Sequence, residues 1–196
     1  IYVFTELGKL ENTIKIENTQ NTDWEDLTID ANGNLYVGNF GNNDNERQDL
    51  SIYKISENTL NLNATSPSQI TTFSYAEQTE FPPKKKDLMY DCEAFVQIND
   101  SFYLFTKNRS KGFNGNFYVY KIPNKPGDFK AERIAELNSG KSYDSAAITG
   151  ASFDINSKQI ALVTHTKVLL IPFTDDNSFK QENIRTLELN HNSQKE

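Results

Sequence analysis

The feature that most constrains this chain is a short β-hairpin motif that recurs three times. In the first copy, the segment that begins at Trp24 leads through Asn32-Gly33-Asn34 into Leu35-Tyr36-Val37. The three copies span residues 24–37, 92–105 and 148–163. Asn-Gly favours a tight hairpin turn because both residues tolerate positive φ. Repeats of this kind predict a fold built from similar units that follow one another along the chain.

Two further strands are predicted after each hairpin. The sequence Ile52-Tyr53-Lys54-Ile55 is echoed by Val119-Tyr120-Lys121-Ile122, which favours true duplication. Each unit would then contain four antiparallel strands over roughly 50 to 70 residues, as in a propeller blade. The predicted additional strands are 51–55 and 69–74 after the first hairpin, 117–122 and 131–135 after the second, and 168–171 and 183–187 after the third.

We therefore predict an all-β chain, a β-propeller of four-stranded antiparallel blades. It would hold about three full blades plus partial blades at both ends, as part of a six-bladed ring. Tyr2–Phe4 and Thr13–Ile16 are interpreted as outer strands of the preceding blade. The alternatives are a ring completed by another chain and a β-sandwich, which also uses four-stranded meanders. The predicted single domain comprises the end of one blade (1–20), three blades (21–80, 88–138 and 145–190) and the start of the next (191–196).

The charge and the motifs limit the classes of function. A net charge of −7 argues against nucleic-acid binding, which depends on Lys and Arg neutralising phosphates. Cys92 is the single cysteine, so an intrachain disulfide and a cysteine-based zinc site are excluded. No run of 18 apolar residues predicts a transmembrane segment, and a lipid anchor would lie outside this chain. No Ser-His-Asp arrangement and no Gly-rich phosphate loop can be assigned.

Acidic residues recur at the start of the first strand of the units. Glu25 and Glu93 fall at the same place in their copies, and Glu196 is a third candidate. In the third copy, Thr149-Gly150 replaces the acid, so the predicted ring of carboxylates is not uniform. Arg109 follows the second strand of its unit and could approach the same face. The residues expected to line the channel or bind a ligand are Glu25, Asp26, Asp91, Glu93, Lys107, Asn108, Thr149 and Glu196.

Several carboxylates placed together need a compensating partner. Two charges about 5 Å apart repel by roughly 3 kcal/mol at an effective dielectric constant of 20, which raises the pKa of one of them. Three interpretations remain open. The glutamates accept hydrogen bonds from neighbouring blades, or they bind a hard cation such as Ca²⁺, or two of them act as a catalytic acid and base.

Six segments together match a pattern found in known proteins: Asp23–Leu27, Leu35–Asn43, Arg47–Ile55, Asp91–Phe95, Leu104–Asn108 and Ile148–Ala151. They resemble exported propeller proteins of Bacteroidota. A looser likeness is to esterase-like phytases and related six-bladed propellers, whose blades also open on a Glu. The resemblance implies export to the periplasm, the outer-membrane surface or the medium. Some of these proteins carry lipoprotein signals or sorting domains of the type IX secretion system.

The sequence therefore favours a non-catalytic binding or scaffolding propeller. It would interact with a protein partner or a small ligand at the mouth of the channel, because no nucleophile, base or cofactor motif is assignable. The alternative is a metal-assisted, calcium-dependent hydrolase, such as a phosphoesterase of the phytase-like propeller type. Its catalytic and metal-binding residues would be Glu25, Glu93 and Glu196, although Thr149-Gly150 departs from the pattern that this activity needs.

Overall fold

The computed structural model describes residues 1–174, 176 and 178–190, and this part of the chain is all-β. One short helix, α1 (Tyr143–Ala146), and 3₁₀ turns at Glu57–Thr59 and Gln181–Asn183 interrupt the strands. The strands are β1 (Tyr2–Phe4), β2 (Leu10–Thr13), β3 (Lys15–Ile16), β4 (Leu27–Ile29), β5 (Leu35–Asn39), β6 (Leu50–Ile55), β7 (Ala64–Thr65), β8 (Gln69–Tyr75), β9 (Asp91–Ile98), β10 (Ser101–Lys107), β11 (Asn116–Pro123), β12 (Gly127–Asn138), β13 (Ile148–Asp154), β14 (Gln159–Thr164), β15 (Lys167–Pro172) and β16 (Arg185–Glu188).

The three predicted hairpins are confirmed. They are formed by β4 with β5, β9 with β10, and β13 with β14, each pair antiparallel. Their turns contain left-handed backbone at Gly33 (φ 80°), Asn99 (φ 51°) and Lys158 (φ 51°). Two more antiparallel strands follow each hairpin, which gives the runs β4-β5-β6-β8, β9-β10-β11-β12 and β13-β14-β15-β16.

The prediction of a propeller with separate four-stranded antiparallel blades is wrong, because the first two runs share one sheet. Strand β8 pairs in parallel with β12, from Thr71 opposite Gly127 to Tyr75 opposite Ala131. The result is an eight-stranded mixed sheet of order β4-β5-β6-β8-β12-β11-β10-β9, while the third run forms a sheet of its own.

The first two runs share one sheet because β12 is longer than the sequence predicts. The sequence predicts a strand at 131–135, whereas the observed strand covers Gly127–Asn138. Residues 127–131 pair with β8, and residues 132–138 pair with β11. One long strand therefore joins two runs that the repeat alone treats as independent. The edge strands β4 and β9 also come into contact, so the eight-stranded sheet curls back on itself.

The prediction that the N-terminal residues are outer strands of a preceding blade is also wrong. Strand β1 pairs antiparallel with β2, and β3 pairs in parallel with β7, which gives two small two-stranded sheets. Ile14 and Ile16 are buried there against Val37 and Ile55 of the first run. The N-terminal segment therefore covers the apolar face of the first run instead of completing a preceding blade.

Two apolar cores lie on either side of the second run. Along β10, Phe102 and Leu104 point into the core shared with the first run, whereas Tyr103 and Phe105 point into the core shared with the third run. Side chains alternate between the two faces of a strand, so a strand buried on both faces is apolar throughout. In the first of these cores, the ring centroids of Phe40 and Phe95 lie 5.1 Å apart. This packing fixes the start of β9 against the loop that follows β5.

Candidate carboxylate site

The acidic residues of the first two hairpins come together where β4 and β9 begin. Asp91 and Glu93 are two residues apart in β9, at a point where the pairing with β10 shifts register between Phe105 and Thr106. Lys107 is the last residue of β10 and lies opposite Asp91 in the antiparallel register. Asp91 has no exposed surface, and Lys107 is only 1% exposed. The start of this hairpin thus buries acids and a base next to one another.

Arg109 joins both carboxylates of β9. Its Nε atom lies 2.7 Å from Asp91 Oδ2, and its Nη2 atom lies 2.7 Å from Glu93 Oε1. Lys107 Nζ approaches the other oxygen of Glu93 at 3.2 Å. Arg109 Nη1 also donates to the hydroxyl of Tyr143, at 2.6 Å, in the short helix α1. Glu93 is therefore held between two cations, and Arg109 connects the second run to the segment that precedes the third.

Burial dominates the protonation of the β9 carboxylates. Burial, and next the charge of Glu93, raise the pKa of Asp91 to about 7 in spite of Arg109. Burial likewise raises the pKa of Glu93, although Lys107 opposes the effect. Asp91 Oδ1 also accepts the backbone N–H of Asn42 at 2.7 Å, which anchors the loop after β5. The β9 carboxylates are therefore ion-paired and buried.

Asp23 and Glu25 form the second half of the site. Both side chains lie over Gly41, where a Cβ atom would collide with a carboxylate oxygen of each residue. Burial raises the pKa of Glu25 to about 7, and the charges of Asp23 and Asp91 and a hydrogen bond with Asp23 add to the effect. The charge of Lys107 lowers this pKa in part, but within the described part of the chain no Lys or Arg nitrogen lies within ion-pair distance of Glu25. This pair is only partly buried, so it can reach solvent.

Asp26 lies beside the cluster but has a different role. Its Oδ1 atom accepts the N–H of Leu27 at 2.9 Å, and its Oδ2 atom accepts the N–H groups of Phe95 and Ala151, each at 3.2 Å. One carboxylate thus joins β4, β9 and β13. Burial raises the pKa of Asp26 to about 6, although these backbone hydrogen bonds lower it. The geometry is that of a structural clamp between three strands.

Two other predicted residues, Asn108 and Thr149, do not join the carboxylates. Asn108 donates to Asn114 Oδ1 at 3.1 Å and to the backbone oxygen of Asn116 at 3.0 Å, and so braces the loop after β10. Thr149 lies in β13, where its hydroxyl donates to the backbone oxygen of Val163 at 3.5 Å. Glu196 lies outside the described residues. In the part of the chain that the structure describes, no group of three or more His, Cys, Asp and Glu side chains is arranged to hold a metal ion.

The sequence did not single out two members of the site. Asp23 lies in the first motif, but only the fold shows that it turns back over Gly41 beside Glu25. Tyr143 is 34 residues from Arg109 along the chain and belongs to no repeated motif. No local signal could have placed its hydroxyl against the guanidinium group.

The comparisons with known proteins assign no family to this chain. No protein-family model matches the chain, and no curated protein matches it. Among solved structures, the chain is similar to one described as "a putative 6-phosphogluconolactonase from Bacteroides uniformis", with 14% sequence identity and a TM-score of 0.41. The match covers 95% of this chain and 48% of the other, so this chain spans about half of the length of the structure it matches.

The resemblance to exported propeller proteins of Bacteroidota, and the looser likeness to esterase-like phytases, are wrong. The eight-stranded mixed sheet is not a set of four-stranded antiparallel blades, and no family model supports the assignment. The motifs behind the resemblance are short hairpin segments, which fix local pairing but not the way in which runs of strands join. In the described residues, no helix has the length and apolar character needed to cross a membrane.

Proposed function

We propose that this chain is a non-catalytic binding protein and that the Asp23–Glu25 pair receives a cationic group of its partner. The observation that carries the proposal is the contrast between the two halves of the site. Glu93 is held by Lys107 and Arg109, whereas Glu25 has a pKa of about 7 and forms no ion pair within the described chain. The pair therefore holds a proton in a place where a ligand cation could bind.

Electrostatics supports an exchange of that proton for a cation. Two opposite charges about 4 Å apart attract by about 4 kcal/mol at an effective dielectric constant of 20. A planar guanidinium can face two carboxylates at once, and an ammonium can bridge them as a point charge. A Lys or Arg side chain of a protein partner has this chemistry, and the net charge of −7 favours its approach. Export to the periplasm or the cell surface stays a prediction, which cell fractionation would test.

The experiment is a titration with N-acetyl-arginine methylamide, followed by amide chemical shifts at pH 6 and pH 8. The neutral citrulline analogue, which has the same shape, serves as the ligand control. With a pKa of about 7, Glu25 is about 9% ionised at pH 6 and about 91% at pH 8, so the dissociation constant should be about tenfold lower at pH 8.

Two variants separate the site from general charge effects. Glu25→Gln should abolish the binding, whereas Glu6→Gln, an exposed glutamate outside the site, should leave it unchanged. Equal binding of the arginine and citrulline probes, or an affinity that does not change with pH, would contradict the proposal.

A second candidate is hydrolysis, supported by the same pKa of Glu25. A carboxyl group that is half protonated near neutral pH can act as both general acid and general base. Calcium could assist by binding to the oxygens of Asp23 and Glu25, which are hard ligands. Turnover of p-nitrophenyl phosphate or p-nitrophenyl acetate, measured with Ca²⁺ and with EDTA and lost in Glu25→Gln, would favour the hydrolase over the binding protein.

A further inference from the structure

A second cleft lies at the other end of the hairpins, far from the carboxylates. It has a volume of about 560 Å³ and is lined by the hairpin turns of all three runs, at residues 30–32, 97–100 and 153–158. Strand β9 connects the two ends, and its eight residues at about 3.3 Å each span roughly 25 Å. The cleft is therefore a separate site, within the size range of small-molecule pockets.

One wall of the cleft is a fixed chain of hydrogen bonds. The hydroxyl of Tyr36 donates to Asp30 Oδ2 at 3.0 Å and accepts from Asn124 Nδ2 at 2.9 Å. Gln69 Nε2 in turn donates to Asn124 Oδ1 at 3.0 Å. Asp30 also accepts both backbone and side-chain N–H groups of Asn34, so its position is fixed. The polar groups of this wall are held in place before any ligand arrives, which lowers the entropic cost of binding.

Several amides around the cleft keep hydrogen-bonding capacity. In the described part of the chain, the side chains of Asn32 and Asn99 make no hydrogen bond, and Gln97 uses only its Nε2 atom, on the backbone oxygen of Asn99. A side-chain amide offers two donors and one acceptor. The cleft thus presents both donors and acceptors from three different chain segments.

Apolar surface faces these amides. Ile29 is 60% exposed and Ile155 is 65% exposed, and both line the cleft. Phe153 also lines it and packs edge-on against Phe173, with ring centroids 5.7 Å apart. Exposed isoleucines are costly to leave in water, by about 25 cal/mol for each Å² of apolar surface. A ligand that covered them would be stabilised by their burial.

The charges around the cleft balance. Asp30 and Asp100 contribute two negative charges, and Lys54 and Lys158 contribute two positive charges. Lys54 Nζ lies 3.9 Å from Asp30 Oδ2 and 5.5 Å from the centre of the Tyr36 ring. A lining without net charge favours neither an anion nor a cation. The ligand it suits is neutral.

We infer that this cleft binds a neutral saccharide. A sugar ring has an apolar face of C–H groups, which matches Ile29, Ile155 and Phe153, and an edge of hydroxyl groups, which matches the amides. Each hydroxyl can both donate and accept, as the amide pairs require. This site is independent of the proposed cation site, so either can fail without the other.

The test uses three neutral disaccharides: cellobiose, maltose and N,N′-diacetylchitobiose. Each is titrated to about 20 mM, well above a millimolar dissociation constant, while amide chemical shifts of the whole chain are followed. At least one should shift residues 29–36, 97–100 and 153–158 and leave residues 23–25 unmoved. Ile155→Ser and Gln97→Ala should each weaken that binding about tenfold or more, which corresponds to about 1.4 kcal/mol.

The matched control is Leu62→Ser, which removes a half-exposed leucine that does not line the cleft. It should bind the disaccharide as the unmodified chain does. The inference is overturned if none of the three sugars shifts the cleft residues, or if the shifts persist unchanged in both cleft variants.

Discussion

Asp26 gives the most quantitative prediction, because one carboxylate accepts hydrogen bonds from three strands in a buried place. Its pKa is about 6 in the fold, against 3.8 for an ordinary aspartate. Since the folded value is raised, the folded state binds the proton more tightly than the unfolded chain between these two pH values. The associated stability is present in full below pH 3.8 and is lost as the pH rises through 6. The total is about 3 kcal/mol, at 1.36 kcal/mol for each pH unit.

The perturbation is Asp26→Asn, which cannot ionise. The asparagine oxygen can still accept the N–H groups of Phe95 and Ala151, but its amide then faces the N–H of Leu27, which costs about 1–3 kcal/mol. That cost is the same at every pH. The free energy of unfolding of the unmodified chain minus that of the variant should therefore be about 2.5 kcal/mol larger at pH 4 than at pH 8.

Urea unfolding at pH 4 and pH 8 measures both free energies. Asp44→Asn, in an exposed loop, serves as the control for loss of a charge alone. Other carboxylates titrate over the same range, but their contributions cancel when the variant is subtracted from the unmodified chain. A difference between the two proteins that is equal at both pH values, to within about 0.5 kcal/mol, would refute the argument.

Three further predictions concern other parts of the structure. Arg109→Leu leaves Asp91 and Glu93 without their shared partner. It should lower the free energy of unfolding, measured with urea, by about 3–5 kcal/mol. A loss below about 1 kcal/mol would mean that these ion pairs contribute little to stability. Gly112→Ala should lower the free energy of unfolding by about 1–2 kcal/mol, because an alanine would be held in left-handed backbone. Gly115→Ala should lower it by more, because its Cβ atom would also collide with the Gly140 carbonyl. Equal losses of stability in the two variants would contradict this expectation. Ca²⁺ at 100 times its dissociation constant should raise stability by about 2.7 kcal/mol if the Asp23–Glu25 pair binds it, and an unchanged melt with EDTA would exclude a stabilising calcium site.

The sequence predicts the hairpins well because hairpin formation is local. Asn32-Gly33 supplies the turn of the first hairpin, and the alternating residues on either side supply its strands. In the second hairpin, the antiparallel register likewise brings Lys107 opposite Asp91. Those parts of the site therefore follow from the pattern of a single hairpin.

The joining of the runs and half of the site could not be predicted in the same way. The parallel pairing of β8 with β12 connects residues 56 positions apart, such as Thr71 and Gly127, and no turn motif marks it. It depends on which apolar faces become buried, as do the contacts of Tyr143 with Arg109. The repeated motif therefore predicts the pairing within each hairpin correctly but predicts the wrong arrangement of the strands in sheets.

The partner's identity is not needed to test the central proposal, that the Asp23–Glu25 pair exchanges a proton for a cation. The most direct measurement is the pH titration of the Glu25 side-chain carboxyl carbon by NMR, alone and with saturating N-acetyl-arginine methylamide. We expect a midpoint near 7 for the free chain and a midpoint at least about one pH unit lower with the probe, because the cation stabilises the carboxylate. A free midpoint near 4.5, or a midpoint that the probe does not move, would contradict it.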